Sequence, residues 1–228
     1  MSNKKDYLKT HYNPELKPFT DYPNKFINYL IEKNKIKKNS KVLDLCCGRG
    51  EFINEFINFG CEGFAVDIDD ICLKYFPKID YKNCDLTKDK IPWEDNTFDV
   101  IFNKSVIEHF SEPHEIIKEC YRVLKPGGII ITLTPSWKHN INNFYDDYTH
   151  KQPFNIISIG IIHESANFRD INSEYFIQLP KLWKKNLFSK FMLLVSIMVR
   201  YLAPNNFKKK FKFIKFSKEV MLICTGKK

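Results

Sequence analysis

One short stretch limits the possible folds more than any other: Val42-Leu-Asp-Leu-Cys-Cys-Gly-Arg-Gly50-Glu-Phe. Val42, Leu43 and Leu45 are apolar on both sides of the chain, as a strand covered on both faces requires. The run breaks at Gly48 and Gly50, helical spacing follows over residues 52 to 59, and Gly60 stands where a helix should stop. A buried strand, a glycine turn and a helix in that order put the turn at the carboxyl edge of a parallel sheet, where open α/β folds bind ligands. Glycine suits such a turn because it lacks a side chain and accepts positive φ. A dinucleotide fingerprint would need a third glycine three residues after Gly50, and Ile53 occupies that place.

The rest of the chain keeps alternating. Phe26, Tyr29 and Leu30 have helical spacing, residues 63–66 and 98–102 read as strands, and 112–124 as an amphipathic helix. Pro126-Gly127-Gly128 is expected to break the chain before an apolar strand from Ile129, residues 153–166 to be helical, 175–179 to end a strand and 219–225 to form the last one. Strands alternating with helices imply an α/β domain with a parallel sheet. The 228 residues fit one domain, with residues 1–37 as an N-terminal helical cap and 181–216 as a basic apolar insertion before the last strand.

The net charge of +9 is unevenly spread. Residues 181–228 hold 13 lysines and arginines against one acid, Glu219, whereas residues 1–180 hold 23 basic against 26 acidic side chains. A mildly acidic body with a basic end suggests an anionic partner surface. Seven cysteines without a CxxC pair read as reduced core residues, and the polar start lacks the apolar run of a secretory signal, so the expected location is cytoplasmic.

Five motifs together carry a family resemblance. Asp44, Cys46, Gly48 and Gly50 occupy the four places of the DxGxGxG signature of class I S-adenosylmethionine-dependent methyltransferases, with Cys46 in place of the first glycine. Asp67 ends Gly-Phe-Ala-Val-Asp; Cys84-Asp85-Leu86 follows; residues 93–102 resemble the lead-in to the family's fourth strand; Glu108-His109 resembles its EH pair; Leu124-Lys-Pro-Gly-Gly128 resembles its turn before strand five. The resemblance covers residues 38 to 180. It implies a Rossmann-like, mostly parallel seven-stranded sheet with helices on both faces and an antiparallel last strand, and it implies S-adenosyl-L-methionine as cofactor. It assigns Asp44, Cys46, Gly48 and Gly50 to the cofactor turn, Asp67 to the ribose hydroxyls with Ile68 beside the adenine, and Asp85 and Leu86 to the adenine edge. Asn103 and Lys104 would lie under the methionine end. Asp67 has a plainer reading as a helix cap, since Asp69 and Asp70 follow it.

Such an enzyme would act on a small-molecule acceptor, a sugar, secondary metabolite or prenyl lipid, through oxygen or nitrogen. A hydroxyl acceptor needs a base, and a histidine titrates near neutrality. His150 lies in a stretch resembling the family's T-H-x-x-P-F segment ahead of the acceptor helix. His109 is the second candidate, with loop orientation as its plainer role, and His139 the third. No metal site is expected, because Glu108, His109 and His114 have no recognised ligand spacing. Cys46 alone would favour a non-catalytic, partner-recruiting module instead.

The nine apolar-rich residues 191–199 are too few to span a bilayer. Flanked by lysines, they suit either an interfacial helix on an anionic membrane or an ordinary core helix with solvated lysines. Nucleic acid is a minority partner, since Asn103-Lys-Ser-Val106 is not the [DN]PPY-type stretch of base-amino methyltransferases. The oligomeric state is not written in the sequence.

Overall fold

The computed structural model describes residues 14, 15, 17–184, 186–204, 207 and 210–228. Helix α1 (Tyr22–Asn34) has Pro23 in its first turn, where a missing N–H costs nothing. Then come β1 (Lys41–Leu45), α2 (Glu51–Phe59), β2 (Glu62–Asp67), α3 (Ile71–Tyr75) and β3 (Asp80–Asn83). The second half holds β4 (Phe98–Lys104), α4 (Pro113–Val123), β5 (Leu124–Pro135), the single turn α5 (Trp137–Asn140), α6 (Ser158–Ser165) and β6 (Arg169–Phe176). It closes with α7 (Leu187–Leu202), α8 (Lys212–Lys218) and β7 (Met221–Lys227). The seven strands lie in the order β3-β2-β1-β4-β5-β7-β6. β7 is antiparallel to both neighbours and the other pairs are parallel, which is the expected sheet. Chain order reverses between β1 and β4, so the loops leaving those two strands diverge and open a crevice at the carboxyl edge.

The central strands are largely apolar because both faces are covered. Val42, Ala65, Val100, Phe102, Ile131 and Ile223 pack with Phe26, Leu30, Ile53 and Phe56 of α1 and α2. Leu43, Leu45, Ile101, Ile130 and Leu222 pack on the other face with Ile116, Ile117 and Cys120 of α4 and Ile159 of α6. Gly63 is needed for close approach, since a β-carbon there would lie 2.4 Å from Ile57 Cγ1.

Several local expectations are corrected. Pro126-Gly127-Gly128 does not break the chain; it lies inside β5 as a bulge, where pairing jumps from Phe98↔Leu124 to Val100↔Ile129. Gly127 takes φ 78° and donates to the Lys228 carbonyl at 2.9 Å, so the kink is absorbed by the neighbouring strand's end. Helix α6 starts at Ser158, five residues later than expected. Phe154 bridges to Ser136, and Asn155 Oδ1 accepts from the N–H groups of Ile157 and Ser158, which gives the helix its start. The sixth strand is Arg169–Phe176, so it ends three residues short of the expected Leu179; beyond it Pro180–Leu182 turns, pinned where Trp183 Nε1 donates to the Ile177 carbonyl at 2.9 Å. The run 191–199 is the centre of α7, and it is not a core helix: α7 buries only Ser189 and Ser196.

Candidate active site

The glycine turn is folded against the end of β2. Gly48 (φ 54°) donates its N–H to Asp67 Oδ2 at 2.8 Å, while Ile68 N–H donates to Oδ1 at 2.7 Å. The first turn of α2 follows at once, with Gly50 at φ 78°. A side chain at Gly50 would meet Ile79 Cδ1 at 2.7 Å and Cys72 Cβ at 2.9 Å, so glycine is required there for space as well as for φ. Cys46, standing where the family pattern has glycine, takes φ 54°, a conformation that costs a side-chain-bearing residue about 1 kcal/mol. The backbone thus keeps the glycine conformation without the glycine.

Two carboxylates face this turn. Asp44 is buried and receives the Ile53 N–H, capping α2 from the preceding strand. Its Oδ2 has no hydrogen-bond partner among the described residues. Burial, with the Asp67 charge adding to it, holds the Asp44 carboxyl well above the usual range. Burial also raises Asp67, against three backbone N–H donors that favour its ionised form. The β2 end is held by Tyr81, whose hydroxyl donates to the Asp67 carbonyl at 2.8 Å, and by Asn83, which donates to the Ile68 carbonyl at 2.9 Å. Ile68 is partly exposed beside it and Leu86 is buried. Asp85 accepts from Thr87 N–H and hydroxyl and pairs with Lys88 at 3.1 Å.

Strand β4 ends in two residues that point opposite ways. Lys104 lies on the α1 and α2 side, its Nζ 5.6 Å from the Phe52 ring centre, with burial lowering its pKa and the acids Glu108, Asp44 and Glu51 opposing that. Asn103 is fully buried on the α4 and α6 side, where its amide donates to Thr132 Oγ1 at 3.0 Å and Thr132 meets His163 Nε2 at 2.9 Å. A ligand over β1 would therefore meet the main chain of Asn103 and not its amide. Ser105 follows at φ 59°, its N–H donated to the Leu133 carbonyl at 2.8 Å.

The two leading histidines come together across 41 positions of sequence. His109 sits in the 3₁₀ turn Ile107–His109, and His150 in the loop after Phe144–Asp146. Their rings are 4.7 Å apart, edge to face. Glu108 anchors the loop by accepting Lys151 N–H at 2.7 Å and Gln152 N–H at 3.0 Å on its carbonyl. Thr149 donates to Asp147 at 2.6 Å, so its oxygen is left to accept from His109 Nδ1 at 2.9 Å, and His150 Nδ1 donates to the Phe144 carbonyl at 2.6 Å. Both rings are thereby set in the tautomer whose lone pair lies on Nε2. Beside them Glu108 is fully buried, with Oε2 accepting from Thr134 at 3.0 Å and Oε1 without a partner among the described residues. Burial pushes its carboxyl up to about 7. Glu108, His109 and His150 present ligand-type atoms within 4.8 Å of one another, a grouping that could hold a metal ion and that linear spacing could not reveal. His139 is elsewhere, against the Tyr175 ring and Arg200, with burial lowering it to about 4.

Arg49, passed over in the sequence, ties the N-terminal segment across the turn. It donates to the Lys17 carbonyl at 2.6 Å, pairs with Glu51 at 2.6 Å and stacks its guanidinium 4.4 Å from the Phe19 ring centre. Phe19 in turn helps to line a cleft of about 350 Å³ with Glu51, Tyr75 and Phe76. An arginine between two glycines was the signal: a long cation next to a backbone turn has little to pair with except what crosses over it.

Parts of the chain are similar to known proteins. Residues 43–132 match the family model described as "Methyltransferase domain". The chain is 30% identical over 144 residues to a ubiquinone/menaquinone biosynthesis C-methyltransferase of Idiomarina loihiensis, covering 57% of this chain and 55% of that one. It is 34% identical over 111 residues to the sterol 24-C-methyltransferase of Schizosaccharomyces pombe, 45% of this chain and 29% of that one. The chain spans about half or less of the length of the curated relatives it matches. In fold it is similar to Haemonchus contortus phosphoethanolamine N-methyltransferase 2, solved with phosphomonomethylethanolamine and S-adenosylhomocysteine, at a TM-score of 0.65 and 18% identity over 90% of this chain and 52% of that one.

Proposed function

We propose that this chain, whose residues 43–132 match a methyltransferase domain, is a class I S-adenosylmethionine-dependent methyltransferase that transfers a methyl group to a small-molecule acceptor. The observation that carries the reading is the direct bond between Gly48 N–H and Asp67, with Asp44 Oδ2 buried and unpartnered beside it. The Asp67 oxygens already take backbone donors, Gly48 N–H on Oδ2 and Ile68 N–H on Oδ1 among them, and a carboxylate's remaining lone-pair capacity is open to a ribose hydroxyl. Gly48 and Gly50 leave the backbone bare for close approach, and Cys46 holds the same turn. Ile68 and Leu86 offer apolar walls to an adenine, with Asp85 at its amino edge. Lys104 and the main chain of Asn103 would border the methionine end. These residues fit the cofactor.

Bound S-adenosylmethionine supplies a methyl carbon already activated by its sulfonium, with a neutral thioether as leaving group. The chain's own task is then to orient the acceptor, exclude water and take a proton. We assign the proton to the Nε2 of His150, with the His109 ring edge to face against it, for an oxygen or nitrogen acceptor. Buried Glu108 beside them can balance the imidazolium that forms. The names of the quinone and sterol relatives support an acceptor with an apolar, lipid-like body.

Calorimetric titration with S-adenosylhomocysteine tests the assignment. The chain should bind it, and Asp67→Ala should bind at least tenfold more weakly, about 1.4 kcal/mol or more for hydrogen bonds to a charged group. Equal binding by both proteins would remove Asp67 from the site, and no binding by the unaltered chain would remove the proposed activity.

A further inference from the structure

Helix α7 is built inside out. Its inward face carries a polar seam: Ser196 Oγ donates to Ser217 of α8 at 2.8 Å, Arg200 Nε donates to the Ser217 carbonyl at 2.8 Å, and Asn186 caps the start by accepting Ser189 N–H at 2.8 Å. Its outward face is apolar. Leu187, Phe191, Leu194, Met198 and Tyr201, in steps of four and three, lie diametrically across from Ser189 and Ser196, and they are between 59% and 84% exposed. In all, nine of the 16 residues are exposed apolar side chains, more than an isolated surface leucine can account for.

The surroundings say what this face meets. Lys184 precedes α7, Lys190 lies in its first turn, and Lys210, Lys212 and Lys215 follow it in the chain; all five are exposed, and residues 181–228 contain one acid, Glu219. A second copy would bring two such basic faces together, which like-charge repulsion opposes. An anionic bilayer satisfies both components at once, taking the side chains of the outward stripe among its acyl chains and the lysines at its headgroups. The helix is about 24 Å long at 1.5 Å per residue, shorter than a hydrocarbon core of about 30 Å. No helix among the described residues is long and apolar enough to cross a membrane, so contact would be in the plane of the interface.

We propose that α7 is an interfacial helix that docks this domain on an anionic lipid surface through Leu187, Phe191, Leu194, Met198 and Tyr201, with the lysines that flank it in the chain as headgroup contacts. The proposal needs neither cofactor nor acceptor, so it stands or falls apart from methyl transfer.

Flotation of the full chain with phosphatidylcholine vesicles containing phosphatidylglycerol, against phosphatidylcholine alone, is the test. The chain should float with the mixed vesicles at low salt, about tenfold less at high salt, and less again on neutral vesicles. Phe191→Glu combined with Leu194→Glu should lower partitioning about a hundredfold, with the circular dichroism spectrum unchanged because both side chains already face outward. Lys190→Glu with Lys212→Glu should lower it on mixed vesicles while leaving the weak neutral binding alone. The proposal is overturned if the unaltered chain stays unbound at low salt, or if the double glutamate variant floats as well as it does. It is equally overturned if light scattering finds a dimer that this variant abolishes while the vesicles remain free of protein, since the face would then belong to a second copy.

Discussion

Helices α2 and α7 both carry an apolar stripe, and the two stripes face opposite ways. In α2, Ile53 and Phe56 are fully buried on the sheet beside Phe26 and Phe102, while its polar residues lie outward. In α7 the buried residues are Ser189 and Ser196, and the phenylalanines and leucines lie outward. The difference teaches that periodicity tells a reader that a helix has two faces and not which one the domain keeps. That choice follows from what the helix is offered. α2 is offered an apolar sheet; α7 is offered Ser217, Arg200's carbonyl partner and the shoulder around His139.

Substitutions with opposite consequences on the two helices would break the contrast if it were wrong. Phe56→Ala on α2 should cost about 3–5 kcal/mol in a urea denaturation, the usual range for emptying a core phenylalanine. Phe191→Ala on α7 should change stability by less than about 0.5 kcal/mol, as expected at an exposed site. A cost on α7 comparable with that on α2 would mean that its outward face is covered in solution.

Proton linkage sharpens the inward side next. Helix α6 buries a histidine: His163 meets Thr132 on Nε2 and donates Nδ1–H to the Ile159 carbonyl at 2.7 Å, and burial lowers it to about 4. Its neutral form is the folded one, so stability is full above about 6.5 and is lost as pH falls from there towards about 4, on the order of 3 kcal/mol in all. Glu108 works the other way. Its carboxyl is raised to about 7 from 4.5, so stability is full below about 4.5 and is lost as pH rises through about 7. Between about pH 4.5 and 6.5 the two oppose each other. Denaturation of Glu108→Gln across this range should uncover the histidine slope and give a protein more stable than the parent at pH 8 by up to about 3 kcal/mol. An unchanged pH profile would place the proton elsewhere.

A smaller effect inverts the usual order of costs. Ser196→Ala removes one buried hydrogen bond and leaves Ser217 Oγ unpaired, which should cost about 1 kcal/mol, more than Phe191→Ala on the same helix. Were the phenylalanine the costlier loss, the polar seam would not be what holds α7 in place.

How far the site was legible follows the same division. The turn from Asp44 to Gly50 and the carboxylate of Asp67 could be read in the chain because their requirements are local: a buried strand, bare backbone, an acid at a strand end. The edge strands were less visible. Asp80–Asn83 and Arg169–Phe176 cover one side only and are polar along much of their length, so they lack the apolar run that announced β1 and β4. The grouping of Glu108, His109 and His150 could not be seen at all as a set, since it is tertiary bonds, from Lys151 and Gln152 N–H to the Glu108 carbonyl and between His109 and Thr149, that bring position 150 to position 109. Asn103 and Lys104 were read as one unit, yet adjacent strand residues point to opposite faces of a sheet, and the pair is divided by it.

By itself the sequence determined the alternation of strands and helices, the glycine turn and the basic end, because each depends on neighbours within a few residues. Only the tertiary structure decided which face of α7 is turned to solvent, which histidines meet, and that Glu108 lies fully buried with a raised carboxyl. Those depend on burial and on contacts between residues tens of positions apart, and the free energy of removing a group from water is a property of its surroundings in space.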